Sequence, residues 1–430
     1  MTRAIQLVLA GGLILTASAG SAEAQSLRSR FEDFFIFGDC GVPLCLSGSD
    51  VTHATHYIPA ATGAGSPITQ RLLASLQGSI VTSLSNIPVG LGSGGATIQF
   101  VQGLPVTTPV STGPILGERA TTLGRQRLLA GVNLTGGRFT RFRGTALRDV
   151  RLNFVHQDVG NPGLGDPAFE NDVITVIPDI HVSLLAFSGY ALYGVTNFLD
   201  VGVVIPVIRA SLWGRSVGTI NCGTPCLHAF GTQALPQLQD TARVDASATG
   251  LGDVTIRVKL ALPGSGRWRF ALLTEARLPT GQEDELLGAG KLGLRAQAIT
   301  SASWGVFTGH ANAGYFGRGG TALNDAALAT LGFDVLATRW LTVAADLAGQ
   351  WQIGQEPFSL GGAAQFAAPT VREVKFSNVP STRDNRYDGS VGFKITDNRG
   401  LTGLANAYIP LNDAGLRSPL IWTIGAQYDF

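Results

Sequence analysis

The 430-residue chain is 45% hydrophobic but only 14% charged, with a formal net charge of +1 and 56 glycines. Near-neutral charge without a basic, aromatic-laced stripe excludes a nucleic-acid binder. No linker, charge run or low-complexity segment divides the chain into the two or three soluble domains that its length would otherwise suggest.

The N-terminus reads as an export signal. Arg3 and the apolar run Ile5 to Thr16 precede Ala22-Glu23-Ala24, which places cleavage after residue 24 and starts the mature chain at Gln25. No later stretch offers about eighteen uninterrupted apolar residues, the length of a spanning helix. The longest, Val173 to Val195, is broken by Pro178, Asp179 and His181.

The four cysteines form two close pairs in Gly/Pro loops, Cys40 with Cys45 and Cys222 with Cys226. In an exported chain these are read as local disulfides. His53 and His56 follow the first pair, but the spacing is not that of a zinc motif, and no metal or cofactor is expected.

Residues 25–94 differ from everything downstream. Ser66-Pro67 supplies an N-cap and first helical position. Ile68, Leu72, Leu76, Ile80 and Leu84 then form one stripe of a helix near 67–86, ended by Pro88 and Gly90. The segment is read as a plug or hatch that docks this stripe in a barrel mouth, with a helix lying on the rim as the plainer alternative.

Residues 95–430 read as strands of about ten residues separated by turns. In the clearest hairpin, Val254, Ile256, Val258, Leu260 and Leu262 alternate with Asp253, Arg257 and Lys259. After Pro263-Gly264-Ser265-Gly266, the return strand opposes Trp268, Phe270 and Leu272 to Arg269, Glu275 and Arg277. Successive strand residues face opposite sides, and charges are costly toward lipid, so the polar set is assigned to a lumen. The same alternation assigns Arg295, His310, Asn312, Asp346, Asp388 and Lys394 to the lumen. The chain ends on the same pattern, Leu420, Trp422, Ile424, Ala426, Tyr428 and Phe430 on one face, as suits a closing strand.

Trp268, Trp304, Trp340, Tyr193 and Phe198 flank short turns, whereas Trp213, Trp351 and Tyr315 lie at opposite strand ends. Two aromatic belts fit a membrane girdle. The fold expected is therefore all-β, a transmembrane antiparallel barrel of about fourteen strands with a partly helical N-terminal plug. Its first three strands fall near 95–103, 125–139 and 147–158, and the long connections 104–124, 159–171, 217–249 and 355–383 share one side. Pro206 breaks the pattern within its strand and is read as a wall kink, which either bends the wall or opens a lateral gap.

Tyr193-Gly-Val-Thr-Asn-Phe-Leu-Asp-Val-Gly-Val-Val-Ile-Pro-Val207, with Gly252-Asp253-Val254 and Leu278 to Gly290, resembles the outer-membrane barrels grouped with the meta-pathway of phenol degradation. These are relatives of the long-chain fatty acid (FadL-type) transporters. The resemblance covers roughly Arg125 to Phe430. It implies a monomer in the outer membrane of a Gram-negative bacterium, inserted by the outer-membrane assembly machinery among lipid and lipopolysaccharide. It also implies passive uptake of small hydrophobic compounds, fatty acids or aromatic hydrocarbons, and no enzyme activity.

Two other functions remain open at this point. A general polar-solute porin would use Arg257, Lys259, Arg269, Glu275 and Arg277 as a constriction field. A membrane-embedded hydrolase would need a serine beside His310 and Asn312. Glu283-Asp284-Glu285 is read as a solvated acidic loop, with a divalent-cation site as the alternative.

Overall fold

The computed structural model describes residues 25–59, 66–85, 99–101, 104–106, 111–156, 158, 164–166, 170–264, 266–319, 324–356, 358–397 and 399–430. The export signal lies outside the described residues.

Twelve antiparallel strands close a ring. They are β1 (Leu128–Phe139), β2 (Val173–Gly194), β3 (Leu199–Asn221), β4 (Thr255–Leu262), β5 (Trp268–Arg277) and β6 (Gly293–Trp304), then β7 (Phe307–Gly317), β8 (Asp325–Thr338), β9 (Leu341–Ile353), β10 (Arg386–Thr396), β11 (Leu401–Pro410) and β12 (Ile421–Asp429). The seam is β12 against β1, where Thr423 faces Thr135 and the Phe430 N–H donates to the Leu128 carbonyl. The sheet counts fourteen strands in all; Leu152–Val155 extends the edge of β2, and Gln239–Leu251 extends the edge of β3. The first and third expected wall strands thus lie outside the ring, since Leu152–Val155 joins the sheet only through β2 and Gln99–Val101 pairs with Leu104–Val106, whereas the second, near 125–139, is β1.

Alternation builds the wall as expected. On β4, Ile256, Val258, Leu260 and Leu262 are exposed while Arg257 and Lys259 are buried. Exposed Phe270, Leu294, Leu331, Leu347, Val391 and Ile424 continue the outer apolar band around the ring. Strands of about ten residues tilted at about 40° give a band near 25 Å, the height of a hydrocarbon layer.

β2 and β3 depart from that uniformity, at 22 and 23 residues. At about 3.3 Å per residue they run some 70 Å, well past any bilayer. Their outer halves join Leu152–Val155 and Gln239–Leu251 in a four-stranded apron beyond the ring. Most of Gln239–Leu251 had been read as a long connection. Its exposed face is Thr241, Arg243, Asp245, Ser247 and Thr249 and its inner face Ala242, Val244, Ala246 and Ala248, a water-facing alternation with the sign opposite to that of the lipid-facing strands.

Pro206 shifts nothing in its own strand. β3 pairs residue for residue with β2 straight through Ser188 and Pro206, and Arg209 stays on the exposed face. The irregularity lies in the neighbour. Leu251 pairs with Val207 and Thr255 with Val204, so Gly252, Asp253 and Val254 bulge opposite Ile205 and Pro206. Proline lacks the donor that this neighbour would accept, and only the Gly252 N–H bonds back to the Pro206 carbonyl.

The N-terminal part caps the mouth that carries the long connections. Helix α1 (Leu27–Glu32) and the turn Asp33–Phe35 lead into a segment closed by the Cys40–Cys45 disulfide. Phe35 packs edge-on to Phe154, and Phe37 against Phe230. Helix α2 (Pro67–Ser85) begins as its sequence dictates, with Ser66 Oγ accepting the Thr69 N–H. Leu72, Leu76 and Ile80 are buried and Ile68 partly so, in one apolar core with Phe31, Phe142, Phe154 and Leu416; the Leu84 side chain lies outside the described residues.

Candidate functional site: the occupied lumen

The lumen is entered at its short-turn end by a segment that sequence reasoning had placed outside as a loop. Residues 111–124 fold into the barrel, rise to the level of His310 and Asp346, and return to β1. Glycines and a proline (Gly113, Pro114, Gly117) let the segment turn inside a narrow space, and most of its polar groups are met by the wall, the buried Thr112 hydroxyl excepted.

Buried Arg119 donates through Nε to Asp334 Oδ1 at 3.1 Å and through Nη1 to the Ser111 carbonyl at 3.0 Å. Glu118 and Asn312 exchange two bonds at 2.9 Å, Glu118 N–H to Asn312 Oδ1 and Asn312 Nδ2 to the Glu118 carbonyl. The Glu118 carboxylate lies 2.5 Å from Arg257 and 2.8 Å from Lys259. Lys394 Nζ donates to the Thr112 and Pro114 carbonyls, and Asp200 accepts the Leu123 N–H. Such buried charges are tolerated only because each meets an opposite charge or several hydrogen bonds.

His310 Nε2 meets Asp346 Oδ1 at 2.6 Å across the intervening strand β8. Gly332 stands between them, and a Cβ there would fall on Asp346 Oδ1 and 2.6 Å from His310 Nε2. Gly117 of the luminal segment covers the same pair from inside. Among the described residues no serine hydroxyl bonds His310, whose Nε2 is taken by Asp346.

Above this floor lies a cavity of about 200 Å³. Leu116 and Glu118 form its base, and Leu286 and Leu287 of the β5–β6 loop form its roof. Asp253, in the wall bulge, pins that roof by accepting the Gly281 and Ala289 N–H groups at 3.1 and 2.9 Å. Helix α1 closes it from outside, with the Leu27 N–H on Glu285 and Arg28 beside Glu283 and Asp284. The acidic loop is thus occupied by the cap.

The cavity has two unlike flanks. One is apolar, Leu184, Val204, Pro206 and Ile208 with the two roof leucines. The other is cationic, lined by Arg277, Arg295 and Arg386; Arg277 and Arg295, with Arg318 from outside the lining, stand 5.0–5.4 Å from the Phe316 ring. Guanidinium groups over a ring face are held by its negative quadrupole. Glu275 bridges Arg295 at 3.1 Å and Arg257 at 3.8 Å, and Asp388 pairs with Arg417 at 2.7 Å.

Of the residues assigned to the lumen from sequence, Asp253, Arg257, Glu275, Arg277, Arg295, Asn312 and Asp388 line this cavity, and Lys259, His310, Asp346 and Lys394 hold the floor. Arg269 is exposed beside its turn, bonding the Gly266 and Trp268 carbonyls. The α2 stripe does not line the cavity; it is consumed in the cap. Sequence reasoning missed Glu118, Arg119, Phe316, Arg318, Asp334 and Arg386. Asp334, between exposed Phe333 and half-buried Val335, carried the one readable signal, an inward charge in the otherwise apolar run Leu331 to Ala337.

The fold is similar to that of an outer membrane channel from Pseudomonas putida F1, at 11% identity and TM-score 0.40, covering 72% of this chain and 98% of that one. It is also similar to the P. putida toluene transporter TodX (10% identity, TM-score 0.35, 79% and 99% covered) and to a Pseudomonas aeruginosa FadL homologue (10% identity, TM-score 0.29, 71% and 90% covered). No curated protein matches the chain in sequence. The family described as "Putative MetA-pathway of phenol degradation" matches residues 175–403, more than half of the chain, which runs from the paired hairpin β2–β3 to β11, and the protein belongs to that family.

Proposed function

We propose that the protein is a passive outer-membrane channel for small hydrophobic compounds, with one aromatic ring as the favoured size of solute. The observation that carries this is the cavity between the floor segment and the Leu286–Leu287 roof. At about 200 Å³ it exceeds the roughly 150 Å³ that accommodates benzene. It is smaller than the roughly 300–1,000 Å³ of pockets for drug-sized ligands, which disfavours a long acyl chain lying wholly within it. The apolar flank takes the ring, and the arginine flank takes a hydroxyl or carboxylate substituent. In this reading residues 25–85 cap the outer mouth, residues 111–124 plug the inner one, and a monomer sits among lipid and lipopolysaccharide, delivered by an export signal and the assembly machinery.

A porin for small polar anions is the second reading, favoured by the density of arginine around Phe316. The two separate in one experiment on cells with matched amounts of protein. Replacing Ile208 and Leu287 with asparagine should lower uptake of toluene and phenol severalfold while leaving small sugars and chloride unaffected. Equal passage of sugars and aromatics, indifferent to both substitutions, would replace the hydrophobic channel with the porin.

A further inference from the structure

The outward face of β2 and β3 changes character halfway along. Near their connecting turn it presents Phe187, Ile205 and Val207, exposed and apolar like the rest of the band. From Leu199 to Arg209 the strand climbs ten residues. At about 3.3 Å per residue and a tilt near 40° that is about 25 Å, so Arg209 marks the top of the hydrocarbon layer.

Above that level the same face turns basic. Residues directly opposite one another in a ladder share a face. The register sets Arg138 of β1 beside Ser183, Trp213 between His181 and Asp245, and Arg215 between Asp179 and Arg243. Arg138, Arg209, Arg215 and Arg243 are all exposed, four cations against the two carboxylates Asp179 and Asp245. Asp179 is turned to His181, 3.6 Å away. Among the described residues, Arg209, Arg215 and Arg243 have no ion-pair or hydrogen-bond partner. Arg215 and Arg243 stand directly opposite each other, a like-charge pair that destabilises a sheet unless an anion lies between them. Arg138 is already set in place. Its guanidinium stands 5.2 Å over the Trp213 ring and its Nη2 donates to His181 Nδ1 at 3.2 Å, while His181 stacks on the same indole at 5.5 Å.

We propose that this face binds one phosphorylated glycolipid of the outer leaflet, its acyl chains on Phe187, Ile205 and Val207 and its phosphates on the arginines above them. Guanidinium suits phosphate because its planar fork donates two parallel hydrogen bonds. The reach of the patch selects the class of lipid. Arg209 and Arg215 are six residues apart, roughly 20 Å along the strand. That exceeds a phospholipid headgroup and fits an oligosaccharide carrying phosphates at more than one level. The other ring strands have only 8 to 14 residues and end near the top of the hydrocarbon band, so among the wall strands β2 and β3 alone carry such a face. The placement rests on reading the capped end of the barrel as the outer one. A lipid so held braces the apron where it leaves the membrane.

The test titrates the full chain in detergent with fluorescent rough lipopolysaccharide, whose inner core is phosphorylated. One molecule should bind per chain, and removing its phosphates should abolish binding. Arg215→Gln/Arg243→Gln should weaken binding by roughly thirtyfold, about fivefold for each arginine. Arg269→Gln, at the opposite rim, should bind as the parent does, and both variants should keep the heat-dependent gel shift of a folded barrel. Binding that survives the double substitution or the loss of phosphate would overturn the proposal. So would phosphatidylglycerol or inorganic phosphate that competes as well as lipopolysaccharide itself. Orientation is read separately, since Thr241→Cys should be labelled on intact cells by a maleimide that cannot cross the membrane. No label would sink the outward reading of the capped end; label without phosphate-dependent binding would sink the glycolipid site alone.

Discussion

The cap and the luminal segment are both inserted pieces of the same chain, one over each mouth, and they are held by opposite physics. The cap is an apolar core in which Phe31, Phe35, Leu72, Leu76 and Ile80 are buried against Phe142, Phe154 and Leu416. The luminal segment buries little that is apolar, Ile115 and Ala120, the latter against Ala271, Leu273 and Ile299, and is fixed mainly by ion pairs and hydrogen bonds to wall residues. Apolar contact is non-directional and tolerates rearrangement. A buried polar seat works only when every partner is in place, so the floor is specified atom by atom.

The sharpest way to break that contrast is Arg119→Ala, which leaves Asp334 charged and buried. Losing one partner of a buried pair costs about 3–5 kcal/mol. The floor should undock, and ion conductance in planar bilayers should rise severalfold. Leu76→Ala should cost the cap about 2–5 kcal/mol. Residues 25–85 should become protease-sensitive while the barrel keeps its gel shift and its conductance. If that cap change opened the pore as much as Arg119→Ala, the two regions would not be independent.

A finer test is Gly332→Ala. Its methyl group would part His310 from Asp346 and strand one of them, a loss of about 1–3 kcal/mol. Conductance should become noisy rather than large, and Gly309→Ala on the neighbouring strand, which meets nothing closer than 3.7 Å, should do nothing. The smallest effect is expected of Arg28→Ala. Its pairs with Glu283 and Asp284 are 3.6 and 3.3 Å long and largely exposed, worth less than about 1 kcal/mol. A large effect on roof stability there would show that the roof hangs on the cap rather than on Asp253.

The wall was legible because its rule is local: every second residue meets lipid, so polarity along ten residues announces a strand and its inner face. Lys394, Asp346 and His310 could be assigned to the inside on that rule alone. The luminal segment obeys no period, since each of its groups answers to a different strand, and its glycines and proline read as an ordinary loop. Pro206 misled in a more instructive way. A missing donor is felt by the strand that would have received it, so the distortion surfaced at Gly252–Val254, almost fifty residues on in the chain. Gln239–Leu251 of the apron was read as a connection because it is polar outward and apolar inward, the reverse of the pattern that marks the lipid-facing wall.

The luminal segment ends at residue 124, and the first wall strand begins at Leu128. Its seats come from Asp200, Arg257, Asn312, Asp334 and Lys394, on β3, β4, β7, β8 and β10, every one of them later in the chain. It therefore acts as a mandrel: a former already in hand when the first hairpin is laid down, around which each later strand finds one matching peg. Because the pegs sit at fixed places on the former, it also gauges circumference. A ring one hairpin too small or too large would leave buried charges unmatched before β12 could be drawn against β1.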